Sequence, residues 1–226
     1  MNNAAFFASA RKTFGPLSQG QVDGMLTLLV ATAGLPRMHR AYILATAWHE
    51  TAFTMQPIAE YGKGKGKPYG RIDSSGKAPY GRGFVQLTHR DNYVKLDKRL
   101  GLGGKLAADY DLAINPDIAA KIIVIGMAEG LFTGKKLSDY KTYVGMRAVV
   151  NGTDRAKDIA TYALQFEDAL AAAEAPNLAP QPVPPPAPVV VAPKPETPPA
   201  ASVPQPRGLL RAILDLIALI FQPKKG

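Results

Sequence analysis

The sequence predicts a mainly α domain with a small β-hairpin element, followed by a Pro-rich linker and a C-terminal amphipathic helix. Three observations carry this expectation. Apolar residues recur at helical spacing before residue 175, as at Ala41, Leu44, Ala45 and Trp48. A Gly-, Lys- and Tyr-rich stretch over 62–83 interrupts the helical pattern and reads as loops or a small hairpin. Composition then changes sharply near Ala175, since residues 176–206 hold 13 of the chain's 20 prolines. The expected organisation is a globular domain over 1–175, a linker over 176–206 and a helix over 207–226.

Within the first segment, Phe6, Phe7 and Ala10 indicate a short opening helix. Ser18 and Gln21 stand at capping-box spacing, so a second helix is expected over about 19–33, ending at Gly34. Pro36 can open a third, which carries His49 and Glu50 at its C-terminal end. Pro57 makes a continuous helix from Glu50 to Glu60 unfavourable, which places Glu60 beyond a bend. Further helices are expected over about 90–100, 116–132, 138–150 and 154–174, with Asn115-Pro116-Asp117 as a helix start. No repeat of 20–50 residues is visible.

Proline lacks a backbone donor and biases its neighbours to extended conformations. The linker therefore reads as a polyproline-II-like spacer of up to about 90 Å, a passive tether or an SH3-type ligand. Leu209–Phe221 is helical in propensity and apolar around most of its circumference, with Arg211 and Asp215 forming a narrow polar stripe. The run is shorter than the ~20 residues a membrane span needs. A helix lying in a membrane interface fits it, with Arg207, Lys224 and Lys225 near anionic headgroups. Docking on the domain and self-association are the other readings.

The chain of 226 residues (24.1 kDa) is 46% hydrophobic, enough to build a core without staples. Cysteine is absent, which excludes disulfides, thiolate zinc sites and cysteine nucleophiles. The formal net charge of +9 favours an anionic partner. No secretory signal is read at the start, because no basic residue precedes its short apolar run. A nucleic-acid binder would concentrate Lys and Arg on one helix with interleaved aromatics. Here the tail carries +3 and the linker 0, leaving +6 dispersed over the first 175 residues.

Several chemistries can be set aside. A zincin needs a second histidine four residues after His49, and that position is Phe53. No G-x-S-x-G elbow is present. The Gly62–Pro68 run lacks Walker spacing and reads as a basic loop, available to an acidic substrate or serving solubility. Neither a metal site nor a cofactor is expected.

A pair of carboxylates remains. Glycoside cleavage needs one acid to protonate the leaving oxygen and a second carboxylate to activate water or attack the sugar. Glu50 follows an apolar helix face, where partial burial would raise its pKa and suit it to the acid role. Glu60 lies in a polar, glycine-flanked setting beside Lys63, whose charge would keep it ionised. In an extended segment residues i and i+2 point the same way, so Gln86 and Thr88 can hold one water between amide and hydroxyl.

Trp48-His49-Glu50-Thr51, Tyr80-Gly81-Arg82-Gly83-Phe84-Val85-Gln86-Leu87-Thr88-His89 and Asn92-Tyr93 resemble the signature of glycoside hydrolase family 19. That family contains plant-type chitinases and many phage endolysins. Asp111–Asp117 resembles its Asn-Pro-Asp segment, and Arg147 with Val150-Asn151-Gly152 its Asn-Gly-Gly region. The similarity runs over roughly residues 40–155. It implies a lysozyme-like α-helical fold and an inverting mechanism. Glu50 then matches the general acid and Glu60 the general base, across a loop much shorter than the family's. Thr88 replaces the serine that positions water and keeps its hydroxyl. Gln86, Asn92, Tyr93, Arg147 and Asn151 are carried over as substrate-binding. Thr153 departs from the Asn-Gly-Gly pattern. The missing disulfides and shorter loops favour the bacterial or phage branch.

The expected function is therefore that of a monomeric phage or prophage endolysin acting on peptidoglycan. Its place would be the host cytoplasm until release through a holin, then the periplasm and cell wall. The tail would contact anionic membrane or lipopolysaccharide, and no nucleic acid would be bound. A chitinase acting on N-acetylglucosamine polymers would share every catalytic residue. A non-catalytic wall- or membrane-binding protein would need neither Glu50 nor Glu60.

Overall fold

A computed structural model of the protein describes residues 1–175. The linker expected over 176–206 and the helix expected over 207–226 lie outside the described residues. Those described form eight α-helices, four short 3-10 turns and one two-stranded sheet, the mainly α architecture anticipated from the sequence.

Local capping sets most helix starts. In α1 (Asn3–Phe14) the Asn2 side chain accepts from the Ala5 N–H at 3.1 Å, and Phe6, Phe7 and Ala10 are buried. The capping box of α2 (Gln19–Ala31) forms as its spacing predicts. Gln21 N–H donates to Ser18 Oγ at 3.2 Å, and Ser18 N–H to Gln21 Oε1 at 2.8 Å. α2 ends before Gly34, and Thr32, just past its last turn, donates its hydroxyl to the Leu28 carbonyl at 2.7 Å.

Pro36 precedes α3 (Arg37–Glu50), in which every residue from Arg40 to Trp48 is buried. A helix enclosed on all sides must be central, and α3 packs along the 19-residue α8 (Ala156–Glu174), which also covers α1. Glu174, at the end of α8, accepts from Arg40 Nη1 at 2.6 Å and Arg37 Nε at 2.7 Å, which locks the two helices end to end.

The sheet differs from the expected hairpin. Only its second strand falls within the 62–83 stretch, at the very end of it: β1 (Ile58–Ala59) pairs antiparallel with β2 (Arg82–Gly83). The pair is extended by Glu60 N–H, which donates to the Gly81 carbonyl at 2.7 Å. β2 rests on the 3-10 segment Tyr110–Ile114. Gly83 is required there, since φ is +82° and a Cβ would lie 2.7 Å from the Ala113 carbonyl oxygen.

α4 (Arg90–Leu100) and α6 (Pro116–Glu129) occupy expected positions. Asn115 caps α6 by accepting from Asp117 N–H at 3.1 Å and Ile118 N–H at 3.2 Å. The short α5 (Lys105–Ala108) is new. The buried Asp97 carboxylate supplies its cap, accepting from the N–H groups of Gly104, Leu106 and Ala107 at 2.6–3.1 Å.

The single helix expected over 138–150 is replaced by a 3-10 turn (Leu137–Asp139), the one-turn α7 (Tyr143–Met146) and a second 3-10 turn (Arg147–Val149). Thr142 starts a new helix by accepting from Gly145 N–H, and Tyr140 packs where a side chain on residue 145 would go.

One close approach positions the segment after α3. A Cβ on Gly24 of α2 would lie 1.7 Å from the Met55 carbonyl oxygen, a backbone atom with little freedom to move. Gly24→Ala is expected to destabilise at the upper end of the ~1–3 kcal/mol typical of overpacking. Urea denaturation measures this, and an unchanged midpoint would show that the turn yields freely.

Candidate active site

Glu50 is the last residue of α3, where the buried helix meets a tight reversal. Ala52, Phe53 and Met55 all have positive φ, at +49°, +68° and +53°. This costs conformational energy in non-glycine residues and is tolerated only where contacts hold it. Here Thr51 Oγ1 donates to the Ala47 carbonyl at 2.7 Å and accepts from Met55 N–H at 3.0 Å. Gln21 Nε2 holds the Phe53 carbonyl at 2.9 Å, and Gln56 Nε2 reaches back to the Gly20 carbonyl.

The Glu50 side chain is 17% exposed, and its Oε1 accepts from Arg147 Nη1 at 2.8 Å. Arg147 is itself 2% exposed, and its Nε donates to the Asp154 carbonyl at 2.8 Å. Arg147 therefore cannot touch substrate as the sequence reading expected. It positions Glu50. Tyr42 and Thr46 continue the same face of α3 inward, with hydroxyls buried and unpartnered among the described residues. Burial pushes the His49 imidazole down and Arg147 and Arg155 act in the same direction, while Glu50 opposes them.

Glu60 follows β1. Its Oε2 accepts from Gly81 N–H at 3.1 Å, in addition to the backbone bond between the same residues. No ion pair with Lys63 forms. Lys63 adopts φ +47° and contributes only its N–H, to the Glu60 carbonyl at 2.9 Å, while its side chain is exposed. A backbone donor holds this carboxylate in place of the expected lysine.

Gln86 and Thr88 do not share an extended segment. Arg82 and Leu87 exchange backbone hydrogen bonds at 3.2 and 2.8 Å, so the chain between them is a tight turn with Gln86 at φ +52°. The Gln86 amide donates to the carbonyls of Ile58 at 3.1 Å and Gly83 at 3.2 Å, pinning the turn to β1 and β2. Even so, Gln86, Thr88 and Asn92 line one polar pocket of about 260 Å³, with His89, Phe132 and Val150. Asn92 Nδ2 donates to the Thr88 carbonyl at 3.0 Å, whereas the Thr88 hydroxyl has no partner among the described residues. Asn151 is exposed beside Val150, and its N–H caps the Arg147 carbonyl at 2.9 Å.

Tyr93 corrects a second expectation. It is fully buried, with its hydroxyl 2.8 Å from the carbonyls of both Tyr80 and Leu87. It brackets the 80–87 turn instead of meeting substrate, and burial pushes its phenol well up. Buried Arg82 adds to this frame through Asp111 at 2.7 Å, the carbonyls of Ala78 and Tyr80 at 3.0 Å, and the Tyr80 ring 3.6 Å away.

Neither acid lines this pocket, but each is held by a residue close to its wall. Arg147, which holds Glu50, accepts through its carbonyl from the N–H of Val150, a residue of that wall, at 3.1 Å. Glu60 is held by Gly81, against which Gln86 packs so closely that a Cβ there would lie 2.8 Å from Gln86 Oε1. Tyr69 was not singled out from the sequence. Its ring meets His89 edge-on at 5.2 Å, and its phenol is raised first by burial and then by the charge of Glu60. An apolar groove of about 400 Å³ between α2 and α6, lined by Val30, Ala31, Ala120 and Val124 among others, shares no residue with this site.

No family model and no curated protein matches the chain. Among solved structures it is similar to chitinase C from Streptomyces griseus, with a TM-score of 0.53 and 19% identity over 73% of this chain and 75% of that one. The fold is chitinase-like. A mutant of chitinase C superposes with a TM-score of 0.47 at 19% identity, over 73% of this chain and 91% of the other. At this identity the likeness is one of backbone architecture, and the side-chain geometry above stands on its own.

Proposed function

We propose that the protein is a phage or prophage endolysin that hydrolyses β-1,4 glycosidic bonds of peptidoglycan by an inverting, two-carboxylate mechanism. The observation that supports this reading is that two carboxylates are separately anchored, Glu50 by buried Arg147 and Glu60 by Gly81 N–H, and that Gly81 packs against Gln86 of a polar pocket that also contains Thr88 and Asn92. Glu50 donates its proton to the leaving oxygen. Glu60 takes a proton from a water that attacks the anomeric carbon from the opposite face, so the C–O bond breaks as the new one forms. The unpartnered Thr88 hydroxyl helps orient that water, and exposed Asn151 contacts sugar beside it.

The net charge of +9 favours encounter with an anionic wall, and residues 207–226 would hold the enzyme at anionic membrane or lipopolysaccharide. In this reading the protein acts as a monomer, waits in the host cytoplasm for a holin and then works in the periplasm. The likeness to a chitinase fold favours one competing reading, hydrolysis of uncharged N-acetylglucosamine polymers.

Digestion of purified peptidoglycan and of chitin oligomers, with mass analysis of the products, separates the two. New reducing ends at N-acetylmuramic acid are expected. Reducing ends from chitin oligomers alone would establish the chitinase, and intact polymer in both digests would leave only wall binding. Glu60→Gln should lose ~10²-fold or more in turnover. Thr88→Ala should lose less, because the base still holds the water. Early-time NMR of the anomeric products checks the stereochemistry: a retained configuration would rule out Glu60 as a base acting through water.

A further inference from the structure

The loop joining Glu60 to the Tyr69–His89 contact carries Lys63, Lys65, Lys67 and Arg71, all exposed. It is not slack. Lys63, Lys65, Lys67 and Gly70 donate N–H bonds to the carbonyls of Glu60, Gly62, Gly64 and Lys67 at 2.9–3.0 Å, making a chain of consecutive turns. The loop is also pinched shut: a Cβ on Gly70 would lie 1.9 Å from the Gly64 carbonyl oxygen, and one on Gly64 2.6 Å from the Gly70 Cα.

The charges along this region divide sharply. Lys77 is paired with Asp109 and Asp111, Arg82 with Asp111, and Arg90 with Asp73. None of the four cations from 63 to 71 has an ion pair or a side-chain hydrogen bond among the described residues. Clustered like charges repel one another and destabilise the free protein; Asp73, Asp109 and Asp111 are engaged by other cations, and Glu60 is held by the Gly81 N–H. The loop leaves Glu60 and meets the pocket residue His89 through Tyr69, so these lysines stand in the chain between one candidate acid and a contact with the pocket.

We infer that Lys63, Lys65 and Lys67 form a subsite for the carboxylates of peptide stems on the glycan, and so select peptidoglycan over chitin. The inference rests on the reading of the cleft as a glycan-cleaving site. Lysine suits this ligand. A stem peptide hangs flexibly from its sugar, and a mobile point charge can follow its carboxylate where the rigid fork of arginine demands fixed geometry. Chitin bears no such anion.

The test uses the full-length protein and the triple variant Lys63→Gln/Lys65→Gln/Lys67→Gln, with the triple lysine-to-arginine variant as a charge-retaining control. Thermal melting confirms the fold, which none of these exposed side chains supports by a hydrogen bond. Co-sedimentation with purified sacculi, freed of phosphate polymers, is measured at low and high salt. The same assay is repeated on sacculi whose stems have been removed by an amidase.

The glutamine variant should bind intact sacculi about tenfold more weakly at low salt, as expected for three exposed pairs. That difference should vanish at high salt and on stem-free glycan. Arginine should restore most of the binding. Hydrolysis of intact wall should show a raised KM with kcat retained, and hydrolysis of chitin oligomers should not change. Equal binding of wild type and variant to intact sacculi would overturn the inference, as would an equal loss on stem-free glycan. Stem-dependent binding by a wild-type protein that cuts neither polymer would sink the catalytic reading and leave the subsite standing.

Discussion

Glu50→Gln is expected to lower turnover by ~10²–10⁴-fold while the protein stays folded. The amide keeps the shape of the carboxyl group but has no proton to give, so the leaving alcohol must depart as a poorly stabilised anion. Folding should survive because the amide oxygen can still accept from Arg147 Nη1, the bond that the carboxylate makes at 2.8 Å. Some stability is lost even so, since the guanidinium is 2% exposed and keeps its charge without a counter-charge. That loss should fall below the ~3–5 kcal/mol of removing a buried partner outright. Circular dichroism and urea denaturation establish the folded fraction, and product release from labelled sacculi gives the rate. A folded variant with near-wild-type turnover would remove Glu50 from the acid role.

Arg147→Met should produce the largest loss of stability, ~3–5 kcal/mol, together with a loss of activity. Methionine fills part of the space of the arginine stem, but it abandons both Glu50 and the Asp154 carbonyl, which Arg147 holds at 2.8 Å each. The Glu50 carboxylate is left mostly buried without its cation, and the turn carrying Val150 and Asn151 loses its tie to α3. Activity assayed well below the melting temperature separates misplacement of Glu50 from simple unfolding. Arg147→Lys keeps the charge but cannot reach both partners with one ammonium in the same geometry, so it should fall between. If Arg147→Met melted like wild type, the buried pair would contribute nothing to the fold.

How much of this was legible in the sequence depended on distance along the chain. Ser18 with Gln21, and Asn115 before Pro116, announce helix starts because a cap is a contact across three residues. The place of Glu50 at the end of α3 was readable because an apolar helix face leads directly into it. Arg147 was misassigned because its partner lies 97 residues away, and nothing near position 147 shows that the side chain turns inward. Tyr93 failed for a related reason. A tyrosine beside exposed Val94 and half-buried Asn92 gives no local sign that its hydroxyl closes a turn at residues 80 and 87.

Gln86 shows another limit. The reading of Gln86 and Thr88 assumed a strand, but the Arg82–Leu87 bridge makes a turn that no period-2 pattern predicts. α5 was invisible because its cap, Asp97, sits on the preceding helix. Gln86, Thr88 and Asn92, singled out from the ordered motifs, nevertheless line one pocket, whereas Phe132 of the same pocket gave no sign in the sequence.

The two-residue strand pair has a consequence for how such a domain changes over time. β1 and β2 close the base of everything between Glu60 and Gly81, and Glu60 is held there by backbone atoms alone. Exposed side chains beyond that closure, such as Lys63, Lys65 and Lys67, can be exchanged without touching the backbone atoms that hold Glu60. On the proposed function, chemistry and recognition would then be separately heritable: a lineage could change its polymer by rewriting exposed side chains of one loop while the anchors of Glu50 and Glu60 are passed on unaltered.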